Sequence, residues 1–296
     1  MSLNFACIGV AGYIAPRHLQ AIKNTKNNLL FSYDKSDTVG ILDKYFPNSL
    51  FFNDFYAFKK KFINSKKKID YTVILTPNYT HFKYIKFALS NKSNVICEKP
   101  LVLTNYHLKQ IEKLEKKYNK KVFTILQLRT LEVIKSLYKE IQKSKKNHNV
   151  LINYITPRGQ WYQKSWKGNI KKSGGVLFNI GIHLLDVLCY LFGDYLKYNI
   201  SKKNDYSVKG SIEFKNAKAN FNLSIDKKDL KKYKNKKVVR DFIIDNKKMD
   251  LVKNFEQAHT DSYKAIIEKK DFGLNIVKKA IKLAIDLDKI VLYQNK

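Results

Sequence analysis

Between residues 5 and 126 short apolar runs of strand type alternate with helix-like segments, and that alternation leaves few folds open. A strand, a crossover helix and a second strand of the same direction make a parallel pair, so repetition builds a parallel sheet with helices on both faces. The strand-like runs are 5–8, 29–33, 71–75, 95–97 and 122–126, and helices are expected near 16–24, 36–45, 54–62, 80–89 and 106–118. Open sheets of this kind bind ligands at the carboxyl rim of their strands. Two polar stretches fall on that rim: Thr76-Pro77-Asn78, and Glu98-Lys99-Pro100, where the proline prevents the strand from continuing. Lys99 is therefore a candidate for chemistry, set against the plainer reading of a surface lysine before a turn.

The first strand leads into Gly9-Val10-Ala11-Gly12-Tyr13-Ile14-Ala15 and then a helix. Strand, glycine turn and helix in that order are those of a dinucleotide fold, in which glycine lets backbone N–H groups approach a pyrophosphate at a helix amino terminus. Gly12 and Ala15 occupy the second and third positions of the G-x-G-x-x-G/A pattern, while Val10 replaces the first glycine. The second strand ends at Asp34, 19 residues past Ala15, close to the spacing of an acid that binds the adenosine ribose. An acid there repels a 2′-phosphate and favours NAD over NADP. The competing reading of Asp34 is a cap on the helix that follows. His81, on the first turn of a helix, reads more readily as a structural histidine than as a ligand contact.

After Gln127-Leu128-Arg129 the pattern changes. A helix near 130–143 precedes an alternating strand near 150–157 and the loop Arg158-Gly159-Gln160-Trp161-Tyr162-Gln163-Lys164-Ser165-Trp166, which holds both tryptophans. Aromatics with arginine suit a surface that stacks on a base or sugar and pairs with phosphate. Ser173-Gly174-Gly175 then enters an apolar helix in which Asn179, His183 and Asp186 stand at i, i+4 and i+7. They share a face, and burying that polar row without partners is costly, so a ligand facing it is expected. Alternating segments at 208–214, 219–225 and 237–244 point to an antiparallel sheet, and helices are expected near 262–268 and 274–288.

At 296 residues two domains are expected. No apolar run reaches the ~20 residues of a bilayer span, and no signal peptide is evident, so a cytoplasmic protein with no membrane partner is expected. Cys7, Cys97 and Cys189 lie in apolar runs, as reduced thiols rather than disulfides or metal ligands. The net charge of +32 invites a nucleic-acid reading. Only four of the 57 basic residues are arginine, however, and the lysines fall in polar stretches that read as solvated faces, so no nucleic-acid partner is expected. In so arginine-poor a chain, an arginine near a motif is a candidate for a bidentate role that lysine does not fill.

Taken together, Ile8-Gly9-Val10-Ala11-Gly12, Thr76-Pro77-Asn78-Tyr79-Thr80-His81, Glu98-Lys99-Pro100 and Ser173-Gly174-Gly175 followed by Gly181-Ile182-His183 resemble the Gfo/Idh/MocA family of sugar and inositol oxidoreductases. The resemblance covers nearly the whole chain and implies an α/β protein. Residues 1–126 would form an NAD-binding Rossmann domain with a doubly wound parallel sheet. Residues 127–296 would form a substrate-binding and oligomerisation domain with an open, mostly antiparallel sheet. Within the family, the turn at 9–18, Gln127-Leu128-Arg129, the loop at 158–162 and Asn179-Ile180-Gly181-Ile182-His183 look most like the members that oxidise carbon 3 of UDP-N-acetylglucosaminuronic acid for surface polysaccharide (O-antigen) synthesis. The family commonly has aspartate where this chain has Asn179.

The resemblance implies NAD held by Gly12, Tyr13, Ile14, Asp34, Thr76, Asn78, His81, Glu98 and Gln127, with Arg158, Trp161, Tyr162 and Asn179 on the UDP-sugar and no metal. It further implies a homo-oligomer, tetramer or dimer, with 2-oxoglutarate as a candidate reoxidant. Oxidation of a secondary alcohol requires a base and a group that stabilises charge on the oxygen. Lys99 and His183 are the expected pair, with His183 favoured as base and Lys99 as the group holding the oxygen. Another sugar or inositol as substrate, or a non-catalytic NAD-binding regulator, are the alternatives.

Overall fold

A computed structural model describes residues 2–234, 236–252, 256–268 and 271–291. The chain divides into two compact units, one of residues 1–127 with 256–277, the other of 128–255 with 278–296.

In the first unit β1 (Asn4–Ile8), α1 (Ala15–Asn24), β2 (Asn28–Tyr33), α2 (Ile41–Tyr45), β3 (Leu50–Phe52), α3 (Phe55–Ile63), β4 (Tyr71–Ile74), α4 (His81–Ser90), β5 (Asn94–Cys97), α5 (Asn105–Tyr118) and β6 (Val122–Thr124) follow in order. The strands pair in the order β3-β2-β1-β4-β5-β6, all in parallel. That order reverses direction beside β1, so the carboxyl ends of β1 and β4 flank the switch point where such sheets bind ligands. Four of the five residues of β1 and all four of β4 are buried, as a strand covered on both faces requires. The three-residue strand β3 was not evident in the sequence: Leu50-Phe51-Phe52 is too short to show a period and only half-buried at the sheet edge.

The second unit contains α6 (Glu132–Lys143), β7 (His148–Ile155), α7 (Gln160–Lys164), α8 (Ile170–Ser173), α9 (Ile182–Phe192), β8 (Tyr195–Lys203), β9 (Ser207–Phe214), β10 (Ala217–Ser224), β11 (Val239–Ile244) and β12 (Lys247–Lys248). Its sheet runs β12-β11-β7-β10-β9-β8. Only β7 and β10 pair in parallel; the other four pairings are antiparallel. Along β7 and β10 alternate residues are buried, so one sheet face packs against the protein and the other is open. Before α9 the chain makes a π-helical turn, Leu177–Gly181. A Cβ on Gly181 would lie 2.9 Å from a Leu223 methyl, so glycine lets this turn sit directly on β10.

The helical stretch Ile170–Phe192 is, by length and composition, apolar enough to cross a bilayer, contrary to the expectation from apolar runs. In the fold 78% of its apolar window is buried inside the protein, as the core helix of the second unit. Two helices close the chain, α10 (Ala258–Ile267) and α11 (Leu274–Lys289). The single break expected after residue 126 differs from this division, because α10 returns to pack against α1 in the first unit. Asn24 donates to Thr260 there at 3.3 Å, and the Thr124 amide donates to Phe272 O at 3.2 Å.

Candidate active site

In the first unit β1 stops at Gly9, whose φ of +99° suits glycine alone. A Cβ there would meet the Leu75 carbonyl carbon and the Thr76 nitrogen at 2.8 Å, so the turn is pressed against the end of β4. Gly9 N–H donates to Tyr33 O at 2.8 Å, joining it to β2 as well. Helix α1 then begins at Ala15 with Pro16 in its first turn and no side-chain cap, leaving its positive end available to an anion. Tyr13 is exposed beside this turn, and Gly12 and Ile14 are half-buried in it. The Asp34 carboxylate accepts the Ala11 N–H at 2.9 Å and the Ser36 N–H at 3.0 Å. It does not cap the following helix, which starts only at Ile41. A glycine cradle that no side chain can fill, an uncapped helix end and an acid at the end of β2 together fit a dinucleotide.

The rest of this rim is built from the ends of β4 and β5. Thr76 accepts the Thr80 hydroxyl at 2.8 Å, and Asn78 is buried in a 3₁₀ turn, Asn78–Thr80. His81 lies wholly buried with ring nitrogens 2.8 Å from Pro100 O and 2.8 Å from Thr76 O. Burial pushes its pKa down, and the ring sits between the two rim loops, within hydrogen-bond distance of a carbonyl of each. Lys99 is half-buried, and its amide donates to Glu98 Oε2 at 3.1 Å. The other Glu98 oxygen is turned inward, 2.8 Å from His18 Nε2. Gln127, also buried, opens a 3₁₀ stretch, Gln127–Thr130.

In the second unit, His183 follows the π-helical turn on the first turn of α9 and lines a cavity of about 150 Å³. Tyr154 and Arg240 share that cavity, whose apolar walls include Ile180, Leu184 and Phe242. Arg240 and Tyr154 are register partners on β11 and β7, with the guanidinium 6.0 Å from the ring centre. Neither was singled out from sequence, although strand alternation places Arg240 on the face of buried Phe242. The Asn179 amide donates to the Tyr162 hydroxyl at 2.9 Å, and burial raises the pKa of that tyrosine, so it keeps its proton. Arg158 is exposed on the loop after β7 and Trp161 on α7, a short helix where a loop was expected, and the Lys167 ammonium lies 5.4 Å from the Trp161 ring.

The expected polar row of Asn179, His183 and Asp186 does not present three groups to a ligand. Asp186 is 1% exposed and grips Arg129 through two parallel hydrogen bonds, one of them 2.6 Å from Nε. The Arg129 guanidinium also lies 5.1 Å from the Tyr190 ring centre. Here is the bidentate arginine that the arginine-poor sequence led one to look for, with a carboxylate of the protein itself as its partner.

Residues 3–126 match the oxidoreductase family with an NAD-binding Rossmann fold (GFO_IDH_MocA), and residues 148–231 match its C-terminal α/β domain. The fold is similar to that of the WlbA (WbpB) dehydrogenase from Thermus thermophilus solved with NAD and alpha-ketoglutarate. The two are 34% identical with a TM-score of 0.93, covering 99% of this chain and 97% of the other. Against the same protein solved with NAD and UDP-GlcNAcA the identity is again 34%, with a TM-score of 0.91 over 99% and 97% of the two chains. Glucose-6-phosphate 3-dehydrogenase from Bacillus subtilis is 26% identical over 67% of this chain and 57% of its own length. The chain thus spans somewhat more than half the length of that curated relative.

Proposed function

We propose, for a chain that belongs to the Gfo/Idh/MocA family of oxidoreductases with an NAD-binding Rossmann fold, that it oxidises the carbon-3 hydroxyl of UDP-N-acetylglucosaminuronic acid to the 3-oxo sugar. The likeness over 99% of the chain to a dehydrogenase solved with both NAD and UDP-GlcNAcA carries this reading. In this reading the glycine turn at 9–12 and the start of α1 receive the pyrophosphate, and Asp34 the adenosine ribose. Tyr13, Ile14, Thr76, Asn78, Glu98 and Gln127 complete the cofactor surface, whereas His81, expected there from the resemblance, is wholly buried and supports that surface from behind. NAD, when bound, supplies the hydride acceptor.

The protein's own part is to bind, orient and move a proton. His183 is assigned as the base that takes the hydroxyl proton, because imidazole has the suitable ordinary pKa. Lys99 is assigned to hold the same oxygen as negative charge grows on it. Arg158, Trp161 and Tyr162 hold the anionic nucleotide-sugar, and Asn179, with its amide already turned to the Tyr162 hydroxyl, orients the hexose. An amide at position 179 binds but takes no proton, so the base is sought elsewhere. We place the reaction in the cytoplasm, in surface polysaccharide (O-antigen) synthesis, with a homo-oligomer as the working form and 2-oxoglutarate as reoxidant.

The test is absorbance at the reduced-nicotinamide band of the purified protein with NAD, before and after UDP-N-acetylglucosaminuronic acid, then after 2-oxoglutarate. Growth of the band on sugar addition, with bleaching by the oxo acid, is expected. Reduction by glucose 6-phosphate and not by the UDP-sugar would favour the second reading, which rests on the match to the Bacillus enzyme.

A further inference from the structure

Four side chains of the first unit meet in the interior behind Lys99. His18 and Tyr263 are fully buried, His259 is 1% exposed and Glu98 9% exposed. His18 comes from α1, Glu98 from the end of β5, and His259 and Tyr263 from α10, the segment that returns from the far end of the chain. Tyr263 Oη is 2.8 Å from His18 Nδ1, and His18 Nε2 is 2.8 Å from Glu98 Oε1. His259 stands edge-on to the His18 ring at 5.1 Å between centres. Its Nε2 is 3.7 Å from the same carboxylate oxygen, beyond hydrogen-bond length, and neither of its ring nitrogens has a hydrogen-bond partner. Burying polar groups is costly unless they are hydrogen-bonded, and here the ring nitrogens of His259 are not.

The protonation states follow from the partners. Burial alone would push the Glu98 carboxyl up, but the hydrogen bond from His18 and the nearby His259 ring hold it well below the usual carboxylate range, so it is ionised. An ionised carboxylate only accepts. His18 must then carry its proton on Nε2, and since burial keeps that ring neutral, Nδ1 is bare. The bare nitrogen needs a donor, and Tyr263, whose pKa burial raises far above the ordinary value, is a hydroxyl that keeps its proton. The chain of donors therefore runs one way, Tyr263 to His18 to Glu98. The opposite tautomer of His18 would set a lone pair against a carboxylate at 2.8 Å. At the end of the chain Glu98 Oε2 accepts the Lys99 amide.

We propose that His18, Tyr263 and His259 are positioning residues for the reaction: they clamp the Glu98 carboxylate so that it holds the backbone from which Lys99 projects. The proposal rests on the reading of Lys99 as the group that holds the substrate oxygen. It makes α10, supplied by the end of the chain, a working part of the nucleotide-binding unit. His259 packs edge-on against the His18 ring with its Nε2 3.7 Å from the same Glu98 oxygen, and so fills the space beside the His18–Glu98 pair. A displacement of about 1 Å at a reacting group costs on the order of 100-fold in rate, which is what the clamp prevents.

The test uses the NAD-loaded protein labelled with [15N]histidine, which gives six ring systems to resolve, and with [15N]lysine, in which the Lys99 amide is identified by its loss in Lys99→Ala. His18, identified by its loss in His18→Gln, is expected as the neutral Nε2–H tautomer at pH 8, and Tyr263→Phe is expected to shift it and the Lys99 amide resonance together. In turnover, Tyr263→Phe and His259→Gln are expected to lower kcat by about 100-fold while the KM values for sugar and NAD stay within about twofold. Lys99→Ala run in parallel separates the two readings: full turnover in that variant removes the role of Lys99, whatever the histidine spectra show. A charged or Nδ1–H His18 in the wild-type protein would overturn the clamp, as would Tyr263→Phe that leaves kcat and the Lys99 resonance unmoved. One equivalent of bound zinc would overturn it too, since the ligand atoms of His18, Glu98 and His259 lie within 4.8 Å of one another and a metal would replace the donor chain.

Discussion

Replacing Asp186 by alanine tests how far the second unit depends on one buried ion pair. Arg129 is 3% exposed, so the variant leaves a guanidinium in the interior without its carboxylate. Two charge-assisted hydrogen bonds are lost, each worth about 1.5–3 kcal/mol. Removing one partner of a buried pair costs about 3–5 kcal/mol by direct experience with such pairs, and the two figures agree in scale. With a urea slope of about 2–3 kcal/mol/M, the midpoint should fall by about 1–2 M. Urea unfolding followed by tryptophan fluorescence reads the right unit, because Trp161 and Trp166 both lie in it. The double variant Arg129→Met with Asp186→Leu should return to within about 1 kcal/mol of wild type, since two apolar side chains bury no charge. A loss below about 1 kcal/mol in Asp186→Ala, or a double variant no better than the single, would refute the account.

Gly9→Ala should cost several kcal/mol in thermal or urea unfolding, from the positive φ and a Cβ driven to 2.8 Å from β4 backbone, and should weaken NAD in a fluorescence titration. Asp34→Asn, which keeps the shape and removes the charge, should weaken NAD by roughly 1.5–3 kcal/mol and raise the relative affinity for NADP in the same titration. Asp245 is held at a pKa of about 2: burial opposes ionisation, but the Asn149 amide, His148 and Lys146 outweigh it. Its stabilisation is present above the unfolded carboxyl pKa of about 3.9 and is lost as pH falls toward 2, so acid unfolding of Asp245→Asn should show a shallower slope in that window. Burial raises the pKa of all three thiols, that of Cys189 to about 12, so a thiol reagent at neutral pH should label none in the native protein and all three after denaturation.

Much of the first sheet was legible because alternation of strand and helix is a local property. Each apolar run is read from its own neighbours, and Gly9, Asp34 and Glu98-Lys99 fall at the ends of such runs, where the fold puts its rim. Three residues of β3 were too few to carry a period. The row that runs from the π-helical turn into α9 was legible only in part. Spacing placed Asn179, His183 and Asp186 on one face, but spacing does not tell a ligand from a partner, and Asp186 found Arg129 57 positions away.

By itself, then, the sequence determined the parallel sheet, its glycine turn and the rim that bears Lys99, because these follow from chemistry repeated every few residues. Tertiary structure alone decided that α10 crosses back to the first unit, bringing Tyr263 to a histidine 245 positions earlier, and that His18 meets Glu98 across 80 positions. It alone brought Arg240 and Tyr154 to the cavity of His183. The physical reason is shared by the contacts of Tyr263, His18 and Glu98. A buried polar group must find a partner wherever the chain can supply one, and that demand is met by packing in three dimensions, which leaves no period in the sequence.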